Sequence, residues 1–338
     1  MKRYGNIYKN IYDMDNLRLA HHKARKGKYH YSEVKMVNND EIKFLSELRG
    51  LLKNKNYKTS KYEKFKIIDK GKEREIFKLP YYPDRICQWA IMLQIEKVFI
   101  NNFIFDTYAS IPNKGIHLAT KRINKALQNK ESTKYCLKMD IKKYFPNINH
   151  DILKSQLRRK FKDRELLWLL DEIIDSNING IPIGNYLSQY FANFYLSGLD
   201  HYIKESLKIK YYFRYMDDMI IFSNSKRELF YIKYIIEKYL NDILKLQLKE
   251  NWQIFPTFIR GVDFLGYRHF GNYILLRKNI SYNIKSKIRN INNEFKLGDL
   301  NSLMSYHGWC KHCNSFNFQK VYFYDIIRRL NKYESSIR

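Results

Sequence analysis

Tyr211-Tyr212-Phe213-Arg214-Tyr215-Met216-Asp217-Asp218-Met219-Ile220-Ile221-Phe222 sets two β-prone, largely apolar runs on either side of an acidic dipeptide. The pattern predicts a hairpin with Asp217 and Asp218 at its tip. Adjacent carboxylates between apolar strands are costly unless a cation or polar partner compensates them. Taken alone, the stretch could equally be a surface turn that carries acids by chance. Upstream, Cys136-Leu137-Lys138-Met139-Asp140 reads as another apolar strand ending in an acid, and Ile141-Lys142-Lys143-Tyr144-Phe145 follows with aromatics. Three carboxylates at strand ends suit hard divalent cations held through oxygen, Mg²⁺ above all, with Mn²⁺ as the alternative. Two such ions about 4 Å apart can activate an attacking oxygen and stabilise a leaving one in phosphoryl transfer.

The chain around these acids is strongly basic: 62 Lys and Arg against 34 Asp and Glu give a net charge of +28 over 338 residues. A surplus that large repels itself unless a polyanion shares it, which favours a nucleic-acid partner over a merely solvated basic face. The 29 Tyr, 21 Phe and 4 Trp add rings able to stack on bases. A hydrophobic share of 45% excludes wholesale disorder, and the length suggests two or three modules. Cys87, Cys136, Cys310 and Cys313 are too few for a disulfide framework and fit a reducing compartment. No apolar signal core follows Met1-Lys2-Arg3-Tyr4, and Glu96 and Lys97 interrupt the longest apolar run. A cytoplasmic protein with no membrane segment of its own is therefore expected.

Helical periodicity is expected around Asp15 to Lys28 and Asp40 to Leu52, with a strand hairpin over 61–79 turning at Asp69-Lys70-Gly71-Lys72. Residues 84–100 read as a long amphipathic helix opened by Pro83-Asp84. Ser281 to Phe295 and Val321 to Tyr333 suggest a small basic helical module at the C-terminal end. His307, Cys310, His312 and Cys313 contain a Cys-x-x-Cys. All four crowd into seven residues without a second separated pair, so zinc is not expected.

In order along the chain, these motifs resemble those of reverse transcriptases. The strand acid Asp140 with its following aromatics and the Tyr-Met-Asp-Asp hairpin resemble the palm. Between them, Gly180-Ile181-Pro182-Ile183-Gly184-Asn185-Tyr186-Leu187-Ser188-Gln189 is similar to the family's loop-to-helix element beside the incoming nucleotide. Gly261-Val262-Asp263-Phe264-Leu265-Gly266-Tyr267 resembles the primer grip. Asp84-Arg85, Asp106-Thr107-Tyr108-Ala109 and Lys114-Gly115-Ile116-His117 resemble the bacterial fingers, and Ser305 to His312 a thumb segment.

The resemblance implies an α+β right-hand polymerase with fingers, a palm of antiparallel sheet and helices, and a small helical thumb. Its divisions would fall at 1–134 (N-terminal helices and fingers), 135–275 (palm, including helices over 150–180) and 276–338 (thumb). It implies an RNA-directed DNA polymerase using two Mg²⁺ ions, an RNA template (a structured noncoding RNA), a DNA or protein primer, dNTPs and an accessory protein. Asp140 and Asp217 would hold metal, Asp218 would complete the acidic site, and the Ile141 carbonyl would add a ligand. Phe145 matches the ring that fills the space of a ribose 2′-hydroxyl. Lys72 and Arg74 match cations that clamp the triphosphate. Ile183 replaces a frequent Gln, with Gly184 and Gln189 on the same element. Phe264, Leu265, Gly266 and Tyr267 would grip the primer. Lys249 is a candidate proton donor to pyrophosphate, against the plainer reading of a solvated lysine at a helix end.

The Ile-Pro-Ile-Gly-Asn wording is similar to that of diversity-generating retroelement enzymes and of defence-associated bacterial reverse transcriptases. Intron maturases usually read Pro-Gln-Gly here and add a further domain for which little length remains. The Asn-Ala-x-x-His and Val-Thr-Gly strings usual in retron enzymes do not occur. Lys249 to Pro256 departs from the diversity-generating pattern, which favours anti-phage defence. The alternatives are a mutagenic retroelement enzyme, a template-independent DNA polymerase and a non-catalytic RNA-binding scaffold.

Overall fold

Four helices begin at a short acidic or amide side chain, whose oxygen takes N–H groups that the first turn leaves free. These caps are Asp13, Asp40, Asn149 and Asp163. The computed structural model describes residues 3–69, 72–293 and 297–324. From the N-terminal side, α1 (Tyr8–Ile11), α2 (Met14–Ala24), α3 (Ser32–Asn39) and α4 (Glu41–Lys53) precede a hairpin of β1 (Glu63–Asp69) and β2 (Lys72–Lys78). Helices α5 (Ile86–Ile100) and α6 (Ile116–Leu127) lead to β3 (Tyr135–Asp140). Then come α7 (His150–Lys160), α8 (Arg164–Asp175), α9 (Tyr186–Tyr195) and α10 (Ser197–His201). A second hairpin, β4 (Tyr212–Tyr215) and β5 (Asp218–Ser223), runs into α11 (Lys226–Asp242), β6 (Gln253–Pro256) and α12 (Thr257–Arg260). Short strands β7 (Val262–Phe264), β8 (Tyr267–His269) and β9 (Ile274–Leu276) precede α13 (Lys278–Asn293), α14 (Leu297–Cys310) and α15 (Phe316–Tyr322).

The chain packs as two units. One takes residues 1–110, 140–208 and 234–250. Its centre is α5, where Ile86, Cys87, Ala90, Ile91, Met92, Ile95 and Phe99 are all buried, with α2 and α9 packed against it. The expected amphipathic character of 84–100 is thus corrected: neighbours cover most of the helix, so it carries no broad polar face. Asp84 does not cap it either. That buried carboxylate accepts the Tyr57 hydroxyl at 2.8 Å and the Ser60 N–H at 3.1 Å. Asp163 joins two helix starts: one oxygen caps α8 through Leu166 N–H, and the other takes Ile7 N–H and Tyr8 N–H.

The other unit takes 111–139, 209–233 and 251–338. Its main sheet has the order β4-β5-β3-β6, with β4–β5 and β3–β6 antiparallel. Strands β7, β8 and β9 form a separate antiparallel sheet. Ile284, Ile288 and Ile291 recur at helical spacing on α13 and bury a small core with Leu303, Cys310 and Phe323. The expected helix over 321–333 falls beyond 324 outside the described residues.

Candidate active site

Strand β3 ends on Asp140, and a turn follows in which Lys143 takes a left-handed φ of 44°. The carboxylate is divided between two environments. Oδ2 forms an ion pair with the Lys249 ammonium, while Oδ1 is buried with no hydrogen-bond partner among the described residues. Backbone bonds hold this pairing together: Lys249 N–H donates to the Asp140 carbonyl at 2.8 Å, and Lys142 N–H donates to the Gln247 carbonyl at 2.8 Å. Between them Ile141, buried, bridges to Leu248. Lys249 therefore lies on an extended segment between α11 and β6, half-buried against an acid. The expectation of a solvated helix-end lysine is corrected, because a salt partner distant in sequence fixes it.

Phe145, half-buried, opens a short 3₁₀ turn, and its carbonyl accepts the Ile181 N–H at 3.0 Å. Gly180 allows this approach. A Cβ there would lie 2.2 Å from the Phe145 carbonyl oxygen, and its φ of +61° also favours glycine. One step on, the Ile183 carbonyl accepts the Phe77 N–H of β2 at 3.0 Å. Gly184, with φ +123°, admits the Phe77 carbonyl where a Cβ would be 2.7 Å away. The loop of 180–184 thus joins the turn after Asp140 to the strand carrying Lys72 and Arg74. These two residues pair in register with Asp69 and Ile67; their side chains lie outside the described residues. Gln189 accepts the Ser110 hydroxyl at 3.3 Å, and the Ile183 side chain is half-buried.

In the other unit, Tyr215 and Asp218 are register partners, so Met216 and Asp217 form a two-residue turn. Met216 is left-handed, with φ 56°, and its carbonyl accepts a hydrogen bond at 3.0 Å from the fully buried Arg214. Leu265 and Gly266, with φ of 52° and 86°, close the corresponding turn between Phe264 and Tyr267. A Cβ on Gly266 would meet the Trp309 ring at 2.4 Å. Arg277 braces the same hairpin through Asp263 at 2.6 Å and through its N–H to the Gly266 carbonyl at 2.9 Å. Tyr267, buried, donates its hydroxyl to the Trp309 carbonyl at 2.9 Å.

Reading the sequence alone missed Gly180 and Arg214. An arginine inside an apolar strand was the visible signal for the second; a glycine opening the loop-to-helix element was the signal for the first, though no role attached to it there. His312 stacks on His117 with ring centroids 3.6 Å apart, Cys310 is buried, and His307 packs on Phe323. Among the described residues, no group of three or more His, Cys, Asp or Glu side chains is gathered to hold a metal ion. The orphaned Asp140 Oδ1 would fit a metal, since a buried carboxylate oxygen without a donor is otherwise costly; among the described residues Asp84 Oδ2 is also buried without a donor.

The fold and these motifs define a right-hand polymerase of mixed α and β structure. The model of the family described as "Reverse transcriptase (RNA-dependent DNA polymerase)" matches residues 54–269, and the chain belongs to that family. Protein YkfC of Escherichia coli K12 is 23% identical over 248 residues, 60% of this chain and 64% of its own. The retron Ec73 reverse transcriptase of Escherichia coli is 28% identical over 170 residues, 46% of this chain and 51% of its own. Among solved structures, telomerase from Candida albicans in complex with a telomeric RNA fragment shares the fold. It has a TM-score of 0.50 at 12% identity, covering 82% of this chain and 58% of that one. The chain spans less than two thirds of each of these relatives. No helix among the described residues is long and apolar enough to cross a membrane.

Proposed function

We propose that the chain is an RNA-directed DNA polymerase that copies a dedicated, structured noncoding RNA into cDNA from a DNA or protein primer. The observation that carries this reading is Asp140: an acid inside the family match, with one oxygen on Lys249 and the other buried and partnerless. Asp140 and Asp217 would hold two Mg²⁺ ions (or Mn²⁺), helped by the Ile141 carbonyl, with Asp218 completing the acidic site. When bound, the metal would favour ionisation of the attacking hydroxyl and offset charge on the phosphates. Lys72 and Arg74 would clamp the triphosphate, and Phe145 would exclude a 2′-hydroxyl. Ile183, Gly184 and Gln189 would line the nucleotide side, while Phe264, Leu265, Gly266 and Tyr267 would hold the primer. Lys249 would give its proton to departing pyrophosphate. Fingers over 1–134, palm over 135–275 and thumb over 276–338 are the divisions that go with this reading.

The biological role proposed is anti-phage defence in the cytoplasm, with an accessory protein. The departure of Lys249 to Pro256 from the diversity-generating pattern supports it. Ile183 favours the other reading, mutagenic copying, because isoleucine can only pack where an amide would hydrogen-bond. Primer extension on an RNA template tests the activity: wild type should incorporate dNTPs, and Asp140→Asn should not. Incorporation by a clean Asp140→Asn preparation at wild-type rate would sink the proposal. Sequencing the cDNA from wild type and Ile183→Gln separates the roles. One hydrogen bond is worth about 1 kcal/mol, so a mutagenic enzyme should change its error rate roughly three- to tenfold. Low error with no response would leave defence.

A further inference from the structure

One face of α7 is basic and open. Asp151, Lys154, Ser155, Arg158 and Arg159 recur at helical spacing, and with Arg3 they line a cleft of 680 Å³. Its opposite wall is built by the N-terminal segment docking on the end of the helix. Tyr4 N–H donates to the Lys160 carbonyl at 2.8 Å, Lys162 N–H donates to the Tyr4 carbonyl at 2.7 Å, and Arg3 donates to the Phe161 carbonyl at 3.2 Å. From the other side, Lys154 is fixed at 2.6 Å by Asp175, and Arg158 is ion-paired with Asp171. Arg3 and Arg159 meet no carboxylate among the described residues. Cations in the last turn of a helix can simply complement its carbonyls. That accounts for Arg158 and Arg159, but not for Lys154, Ser155 or the arginine brought in from the chain start.

We propose that this cleft binds the phosphodiester backbone of RNA at a site separate from the catalytic residues, sharing no residue with them. Four cations line the cleft beside Asp151; Lys154 and Arg158 are already paired with Asp175 and Asp171, which leaves the forked guanidiniums of Arg3 and Arg159 to match phosphate oxygens. From Asp151 to Arg159 the helix rises about 12 Å, enough to engage more than one phosphate. The six lining residues include no aromatic or aliphatic side chain, whereas protein partners are usually anchored by such groups. Charge without apolar anchors is the chemistry of backbone binding, which holds an RNA without reading its sequence. The inference rests on the proposed use of an RNA.

The test measures binding of a labelled RNA hairpin across a salt series for wild type, Arg159→Glu and Arg3→Glu/Arg159→Glu. Each lost phosphate contact should weaken binding about threefold at physiological salt and flatten the log–log slope by about one. The double variant should therefore bind about tenfold more weakly, with dNTP incorporation on a short homopolymer template-primer unchanged. Arg159→Glu alone leaves the Arg3 anchor intact and guards against a loosened N-terminal segment. Unchanged affinity and slope in both folded variants would overturn the proposal. Lost binding of a polyglutamate peptide with RNA binding retained would overturn it too. If wild type binds no RNA at all, the polymerase reading itself fails; wild-type binding with unchanged variants removes only the cleft.

Discussion

Two hairpins of the same unit are each closed by two residues, one turn with a single left-handed residue and the other with two. Met216-Asp217 and Leu265-Gly266 each close a two-residue loop, and each requires a left-handed φ from a residue that carries a side chain. The first has no glycine in its turn. It places an acid at the tip, and the buried Arg214 of its own strand bonds the strained Met216 carbonyl. The second uses glycine, and Trp309 of α14 fills the space a side chain would need. The acid-tipped turn is braced from within its own strand, and the glycine turn by another helix. Backbone strain of this kind costs on the order of 1–3 kcal/mol and persists only where the surroundings over-determine it.

The largest expected effect separates the two by activity. Asp217→Asn should lower DNA synthesis by about 10³-fold or more with an unchanged melting temperature, since it removes an ionised oxygen and almost no volume. Asp263→Asn in the other hairpin should leave most activity in place. Equal loss from both would erase the distinction. Next in size, Gly266→Ala should destabilise by about 3 kcal/mol in urea unfolding, from the left-handed φ and the clash with Trp309 together. Combining it with Trp309→Leu should cost less than the sum of the two single changes. Arg214→Lys should cost about 2 kcal/mol, because a lysine keeps the buried charge but loses the fork and its bond to Met216.

The smallest effect is a pH response that, of these two hairpins, the one built from β7 and β8 carries through the buried His269. Burial drives the pKa of His269 down to about 4, more than the Phe264 backbone and the Asp263 charge raise it. The unfolded chain, titrating near 6.5, then binds more protons than the folded one between the two values, so stability falls as pH drops through that window. From pH 7 to pH 5.5 the loss should be about 1 kcal/mol, with amide exchange rising over 262–269 before it rises over 212–222. Reversed order, or flat stability across that range, would show His269 charged in the fold.

The acid-bearing hairpin, the strand ending at Asp140, the 61–79 hairpin and the helix starting near Ser281 were readable, because strand alternation, turn residues and helical spacing are short-range signals. Residues 84–100 misled. The apolar run was plain, but whether α5 carries a polar face depends on which helices cover it, and those come from before and after it in the chain. Lys249 misled for the same reason, since its partner lies 109 residues away.

From sequence alone came the class of chemistry: three strand-associated acids in a chain of +28, ordered as in a polymerase of nucleic acids. Composition and local order suffice for that, because charge balance and residue type do not depend on packing. Only the tertiary structure decided that Asp140 divides its oxygens between a lysine and a buried space. The same holds for Gly180, which must be small for the Phe145 carbonyl, and for Arg3, which crosses to α7 to complete a basic cleft. Each joins segments far apart in the chain. A contact across such a gap is selected by how whole elements pack, and no local pattern of residues encodes that choice.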